Sequence, residues 1–181
     1  MSVCIAMLRG VNVGGNRMMK MEALRGLCSS LKCTEVQTYV QSGNLLFRSA
    51  VNDMAKLGKR IEDGIEETFG FRVPVMLRTP DDLRKVIERN PFPEYARAEP
   101  GKLLVNFLYL DPGEERRQAA RAMRFDPEEL RFEGREIYIY YPVGPGLSKL
   151  RWAPIDKALG TVGTGRNWNT VVKLLEMAEL L

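Results

Sequence analysis

The sequence predicts an α+β fold: a ferredoxin-like βαββαβ first lobe, then a second antiparallel α+β lobe with C-terminal helices. Three observations carry this expectation. Up to Arg78, short apolar runs alternate with segments of helical period in the order β-α-β-β-α-β. Beyond it, a comparable but looser series, α-β-α-β-β-α-α, continues to the end. The 181 residues are 45% hydrophobic and 28% charged, which suits a globular chain long enough for two small lobes. The expected division is 1–78 and 79–181, packed as one compact unit.

Val3–Leu8 is an apolar run of strand length, broken by Gly10-Val-Asn-Val-Gly14-Gly15-Asn16. Met21, Leu24, Leu27, Cys28 and Leu31 then recur at three- and four-residue spacing and give one face of a helix over Lys20–Lys32. Glu35–Val40 and Leu45–Ser49 read as strands joined by the turn formers Gln41-Ser42-Gly43-Asn44. Leu57, Ile61, Ile65 and Phe69 line a second helix that Gly70 can stop. Phe71–Arg78 completes the unit as a strand, and Pro74 places it at a sheet edge. Split-crossover topology then sets the sheet order 4-1-3-2, with both helices on one face.

In the second half, Thr79-Pro80 with Asp82 starts a helix whose apolar residues are Leu83, Val86 and Ile87, and Asn90-Pro91 stops it. Phe92–Gly101 reads as a proline-bearing loop, Leu103–Leu110 as a central strand, and Asp111-Pro112-Gly113-Glu114 as the start of a helix. Leu130–Phe132 and Glu136–Tyr141 make a hairpin around Gly134, and helices near Pro154–Leu159 and Trp168–Leu180 close the chain. The order resembles a degenerate copy of the first half, although no residue-level repeat accompanies it.

Composition removes several chemistries. There is no histidine, so histidine triads, histidine-ligated zinc and imidazole acid–base pairs are excluded. Cys28 and Cys33 lack a third thiol nearby, so no metal site and no cofactor are expected. Three cysteines, an odd number with no export signal ahead of them, predict buried, unpaired thiols and a cytoplasmic location. No apolar run approaches membrane-spanning length, so no membrane partner is expected. Lys and Arg number 27 against 23 Asp and Glu; the +4 excess falls entirely on residues 1–78, with 11 basic and 7 acidic side chains. No catalytic constellation is evident, so binding is expected rather than catalysis.

Three loops combine polar residues in ways that packing alone does not require. Arg9-Gly-Val-Asn12-Val-Gly14-Gly15 joins a strand to a helix, where backbone N–H groups can cradle a phosphate or simply form a tight turn. Gly10 and Gly15 have Walker A spacing, but Asn16-Arg17 stands where Lys and a hydroxyl are needed. Gln41-Ser42-Gly43-Asn44 offers two amides and a hydroxyl, either to a ligand or to its own turn. Thr161–Thr170 is expected to open the last helix with Arg166, Asn167 and Asn169 at its N-terminus, where an anion would offset the cation; the other reading is a salt bridge pinning the helix.

Leu8-Arg-Gly-Val-Asn-Val-Gly-Gly15, Tyr39-Val-Gln-Ser-Gly-Asn44, Tyr140-Tyr-Pro-Val-Gly144, Ser148-Lys-Leu150 and Arg166-Asn-Trp-Asn-Thr170 together resemble the bacterial domain-of-unknown-function 1697 family. The resemblance runs in the same order along essentially the whole chain. Val11 departs from the usual Ile, and no Arg precedes Ser148 in the second glycine loop. The resemblance implies a cytoplasmic α+β protein with ferredoxin-like lobes and brings no activity. Its motif residues fall on Arg9, Asn12, Gly14, Gly15, Gln41, Ser42, Asn44, Lys149, Arg166, Asn167 and Asn169. The leading expectation is that these bind a small anionic ligand, a nucleotide or phosphorylated metabolite, in a cleft between lobes. The alternative is nucleic-acid binding, suggested by the basic excess and by Tyr138, Tyr140 and Tyr141.

Overall fold

The chain is described by a computed structural model covering residues 1–181. It forms two compact units, Met1–Arg84 with Lys173–Leu181, and Lys85–Val172. The boundaries fall inside two helices, α3 (Pro80–Glu88) and α7 (Trp168–Glu179), rather than after Arg78. No helix is long and apolar enough to cross a membrane.

The first unit is built as the sequence expects. Its elements are β1 (Ser2–Leu8), α1 (Met21–Ser30), β2 (Thr34–Tyr39), β3 (Asn44–Ser49), α2 (Met54–Phe69) and β4 (Val75–Arg78). The antiparallel sheet runs β2-β3-β1-β4. In the β1–β3 register Cys4 faces Phe47 and Ala6 faces Leu45, and these residues pack with Leu24 and Cys28 of α1 and Leu57, Ile61 and Ile65 of α2. Both helices therefore cover the same face. Ile5 and Met7, on the opposite face of β1, are fully buried as well.

Local chemistry fixes the ends of these elements. Asp53 caps α2 by accepting from Lys56 N at 3.0 Å, and Gly70 ends it at φ 78°. β4 begins only after Pro74, later than the expected Phe71, because proline has no N–H for the ladder. Its first N–H, from Val75, instead donates to the buried Glu62 carboxylate of α2 at 2.9 Å. Thr79 and Asp82 exchange backbone-to-side-chain bonds of 3.1 and 2.8 Å, a reciprocal cap for α3.

The second unit repeats the topology. Its sheet strands and helices are β5 (Leu103–Leu108), α5 (Glu114–Arg121), β6 (Glu129–Glu133), β7 (Glu136–Tyr140), α6 (Trp152–Leu159) and β8 (Gly163–Asn167). Strand order is β6-β7-β5-β8, element for element that of the first sheet. Leu108, Ile137, Ile139 and Tyr141 pack with Ala120 of α5 and Ile155 and Leu159 of α6. The second lobe is thus itself βαββαβ.

Two expectations are corrected here. Pro93–Ala98 is a short helix, α4, and not loop; Pro93 supplies its first turn, and Tyr95 stacks on Tyr140 at 3.5 Å between ring centroids. Gly163–Asn167 is a strand and not the opening of a helix. It pairs with β5, placing Val105 opposite Arg166. Gly163 is required there: a Cβ would stand 2.5 Å from Nδ2 of the buried Asn106.

Candidate functional site

The motif residues of the first unit gather at one end of its sheet. Asn12 ties the β1–α1 loop to the β2–β3 turn. Its Nδ2 donates to Gln41 O at 2.8 Å and Met19 O at 3.0 Å, while Oδ1 accepts from Met19 N at 2.7 Å. Leu8 N donates to Gly43 O at 2.9 Å. Asn44 is fully buried and its Nδ2 donates to Tyr39 O at 3.1 Å and Ser42 Oγ at 2.9 Å. Asn12 and Asn44 thus hold the backbone of their own turns. Gly14, Gly15 and Gln41 are exposed, Arg9 and Ser42 half-buried. Gly10, Gly14 and Gly15 all have positive φ, the geometry a tight turn needs.

Arg166 lies on β8 with only 7% of its surface exposed. Its guanidinium donates to Thr164 Oγ1 at 2.7 Å and Gly165 O at 2.9 Å, and burial lowers its pKa to about 10. The expected placement at a helix N-terminus is therefore wrong by one element. Asn167 occupies that position: it accepts from Asn169 N at 3.0 Å, capping α7, and donates to Gly101 O at 3.1 Å. Asn169 is exposed.

Lys149 belongs to a different setting, a cavity of about 520 Å³ within the second unit. Two segments build it, Met123–Glu128 after α5 and Val143–Ile155 after β7. Phe125, Leu147, Leu150 and Ile155 supply apolar wall. Arg124, Lys149 and Arg151 line it as exposed cations, and none of the three makes an ion pair in the protein. Two carboxylates are also present: Asp126 is exposed and Glu128 is 6% exposed.

The Ser148-Lys-Leu motif organises this wall. Ser148 Oγ donates to Glu128 Oε1 in a short hydrogen bond and accepts from Leu150 N at 3.0 Å. The same hydroxyl therefore anchors the buried carboxylate and turns the chain so that Lys149 lines the cavity. Burial and the nearby Glu128 charge push the pKa of the Tyr141 hydroxyl up to about 12. Sequence reading found Lys149 but missed Arg124 and Glu128 as its neighbours. Both lie in a seven-residue connection with no motif of its own, and only the fold brings it to Ser148.

The tyrosines that suggested base stacking are packed inside the second unit. Tyr138 is 1% exposed and donates to Val86 O at 2.7 Å; Tyr140 donates to Glu99. All three cysteines are buried and free of disulfides, and no cluster of His, Cys, Asp or Glu suits a metal ion.

An α+β protein of two ferredoxin-like units, with a cation-lined cavity in the second, is the class defined by this geometry. The chain belongs to the protein family of unknown function DUF1697, which it matches over residues 1–138. Among solved structures it is similar to the conserved bacterial protein SP0830 from Streptococcus pneumoniae. The two are 21% identical, with 98% of each chain covered and a TM-score of 0.76. A search of curated proteins finds none that matches.

Proposed function

We propose that this protein binds a small anionic molecule, a nucleotide or a phosphorylated metabolite, in the cavity beside Ser148-Lys149-Leu150. One observation carries the reading: Arg124, Lys149 and Arg151 line an apolar-walled cavity without any carboxylate paired to them. Its volume of about 520 Å³ lies within the range of small-molecule sites, roughly 300–1,000 Å³. Unpaired guanidinium and ammonium groups supply charge-assisted donors for phosphate or carboxylate oxygens. Free buried thiols fit a cytoplasmic setting, which we propose as the place of action.

Isothermal titration with inorganic phosphate, nucleotides and phosphorylated metabolites tests the reading. The expected result is binding that weakens as salt is raised and that falls at least tenfold in Lys149→Ala or Arg151→Ala, with melting temperature unchanged. Silence across every phosphorylated compound at low salt would remove it.

A further inference from the structure

Within the cavity just described, Glu128 is an anion among cations. The residue as a whole is 6% exposed, and no Lys or Arg pairs with its carboxylate. Its one hydrogen-bond donor is the Ser148 hydroxyl, on Oε1. Two carboxylate oxygens have about four acceptor sites between them, so most of the capacity of this group is unused. Burying an acceptor of that strength is costly unless donors meet it. No buried side-chain atom of the protein lacks a hydrogen-bond partner, so the free capacity of Glu128 lies on an accessible oxygen, where a ligand in the cavity can donate to it in place of solvent.

Resting on the anion-binding reading above, we infer that the ligand is a nucleotide whose base presents adjacent N–H donors, as guanine does, and that Glu128 reads that base. Three features of the cavity agree on the assignment. The unpaired cations suit a phosphate, the carboxylate suits paired N–H groups, and Phe125, Leu147 and Ile155 supply apolar surface for a planar ring. A phosphorylated sugar would satisfy the cations and offer hydroxyls to Glu128 but leave the apolar wall without a counterpart. The exposed Asp126 lies in solvent and needs no partner.

Guanosine monophosphate and inosine monophosphate differ only in the exocyclic amine, so the pair isolates the base-reading step on the unmodified protein. Titration of both, with ribose 5-phosphate as a third compound, is the test. Guanosine monophosphate should bind at least tenfold more tightly than either of the others. In Glu128→Gln that advantage should shrink to less than threefold, while ribose 5-phosphate binds as before. In Asp126→Asn, which removes the exposed carboxylate of the cavity and leaves Glu128 in place, the preference should survive. Equal binding of the three compounds, or an unchanged preference in Glu128→Gln, would overturn the inference and leave anion binding standing. Binding of none of them, together with no response to inorganic phosphate, would overturn both.

Discussion

Gly43 is where the first unit's framework can be tested most sharply. It occupies the β2–β3 turn at φ +72°, in the left-handed region, and its carbonyl accepts from Leu8 N. A Cβ placed there would stand 2.6 Å from Val11 Cγ2 and 2.8 Å from Leu8 Cβ. The Val11 methyl could rotate away, but Leu8 Cβ is fixed to the backbone of the central strand. Gly43→Ala therefore carries two costs. Left-handed backbone with a Cβ costs about 1–2 kcal/mol, and overpacking a buried site costs about 1–3 kcal/mol. The sum is about 2–5 kcal/mol. Gly14→Ala isolates the first cost: φ is +58° there, but no atom lies within 4 Å of the new Cβ.

Chemical denaturation of both variants beside the parent gives the comparison. Gly14→Ala should lose about 1–2 kcal/mol, and Gly43→Ala at least about 1 kcal/mol more. In a chain of this size each kcal/mol corresponds to roughly 2–4 °C of melting temperature. Equal losses in the two variants would mean that the close approach of the two loops does not exist as described. A Gly43→Ala protein as stable as the parent would also refute the left-handed turn.

The other expectations are quickly stated. Asn12→Ala should destabilise by about 1–3 kcal/mol, because it leaves Met19 N without its side-chain acceptor and Gln41 O and Met19 O without their donor; urea melts measure it, and a loss under 0.5 kcal/mol, a bound well below that range, would contradict the strut role. Arg166→Ala should lower the melting temperature while leaving phosphate binding at the Lys149 cavity intact, since Arg166 does not line it; loss of binding with full stability would return Arg166 to a ligand site. Burial pushes the Cys28 thiol up to about 12 and Cys4 to about 11. Both should resist thiol reagents at pH 8 until denaturant is added, and full labelling of the native protein would contradict this. A thiol with a raised folded pKa stabilises fully below its unfolded value, and that contribution is lost as pH rises towards the folded one. Alkaline loss of stability between about pH 9 and 11 should therefore be smaller in Cys28→Ala than in the parent, by about 1–2 kcal/mol.

The sequence reading succeeded where apolar spacing carried the information. Leu57, Ile61 and Ile65 mark α2 because three- and four-residue spacing brings them to one buried stripe. β8 escaped because its inward positions are Thr164 and Arg166, and Gly163 and Gly165 complete the run. A strand with no apolar residue on its buried side has no hydrophobic alternation to read. α4 was hidden for a related reason: none of its residues is buried, and Pro93 with the flanking Pro91 and Pro100 resembles the prolines of a loop. At the candidate site, Lys149 was found through a motif, whereas Glu128 and Arg124 depend on a connection brought close only by folding.

The equivalence of the two units also shows why the chemistry differs between them. In the first, the long connection is β1–α1, residues 9–20, which meets the four-residue β2–β3 turn at the end of the sheet where β1 finishes. In the second, the corresponding β5–α5 connection is only residues 109–113. The extended ones are α5–β6, residues 122–128, and β7–α6, residues 141–151, at the opposite end, where β5 begins. The same topology thus carries its long loops at opposite ends in the two units. The first set of loops spends its amides on its own turns, through Asn12 and Asn44. The second leaves three cations and most of a buried carboxylate without protein partners around about 520 Å³ of space. Loops that satisfy themselves make a rigid end, whereas loops that hold unpaired charges around a cavity leave them available to a ligand. If that division holds, exchanging residues 122–128 for the three-residue connection that joins α1 to β2 should abolish nucleotide binding without unfolding the second sheet. Retained binding in such a protein, followed by titration with its circular dichroism unchanged, would place the ligand elsewhere.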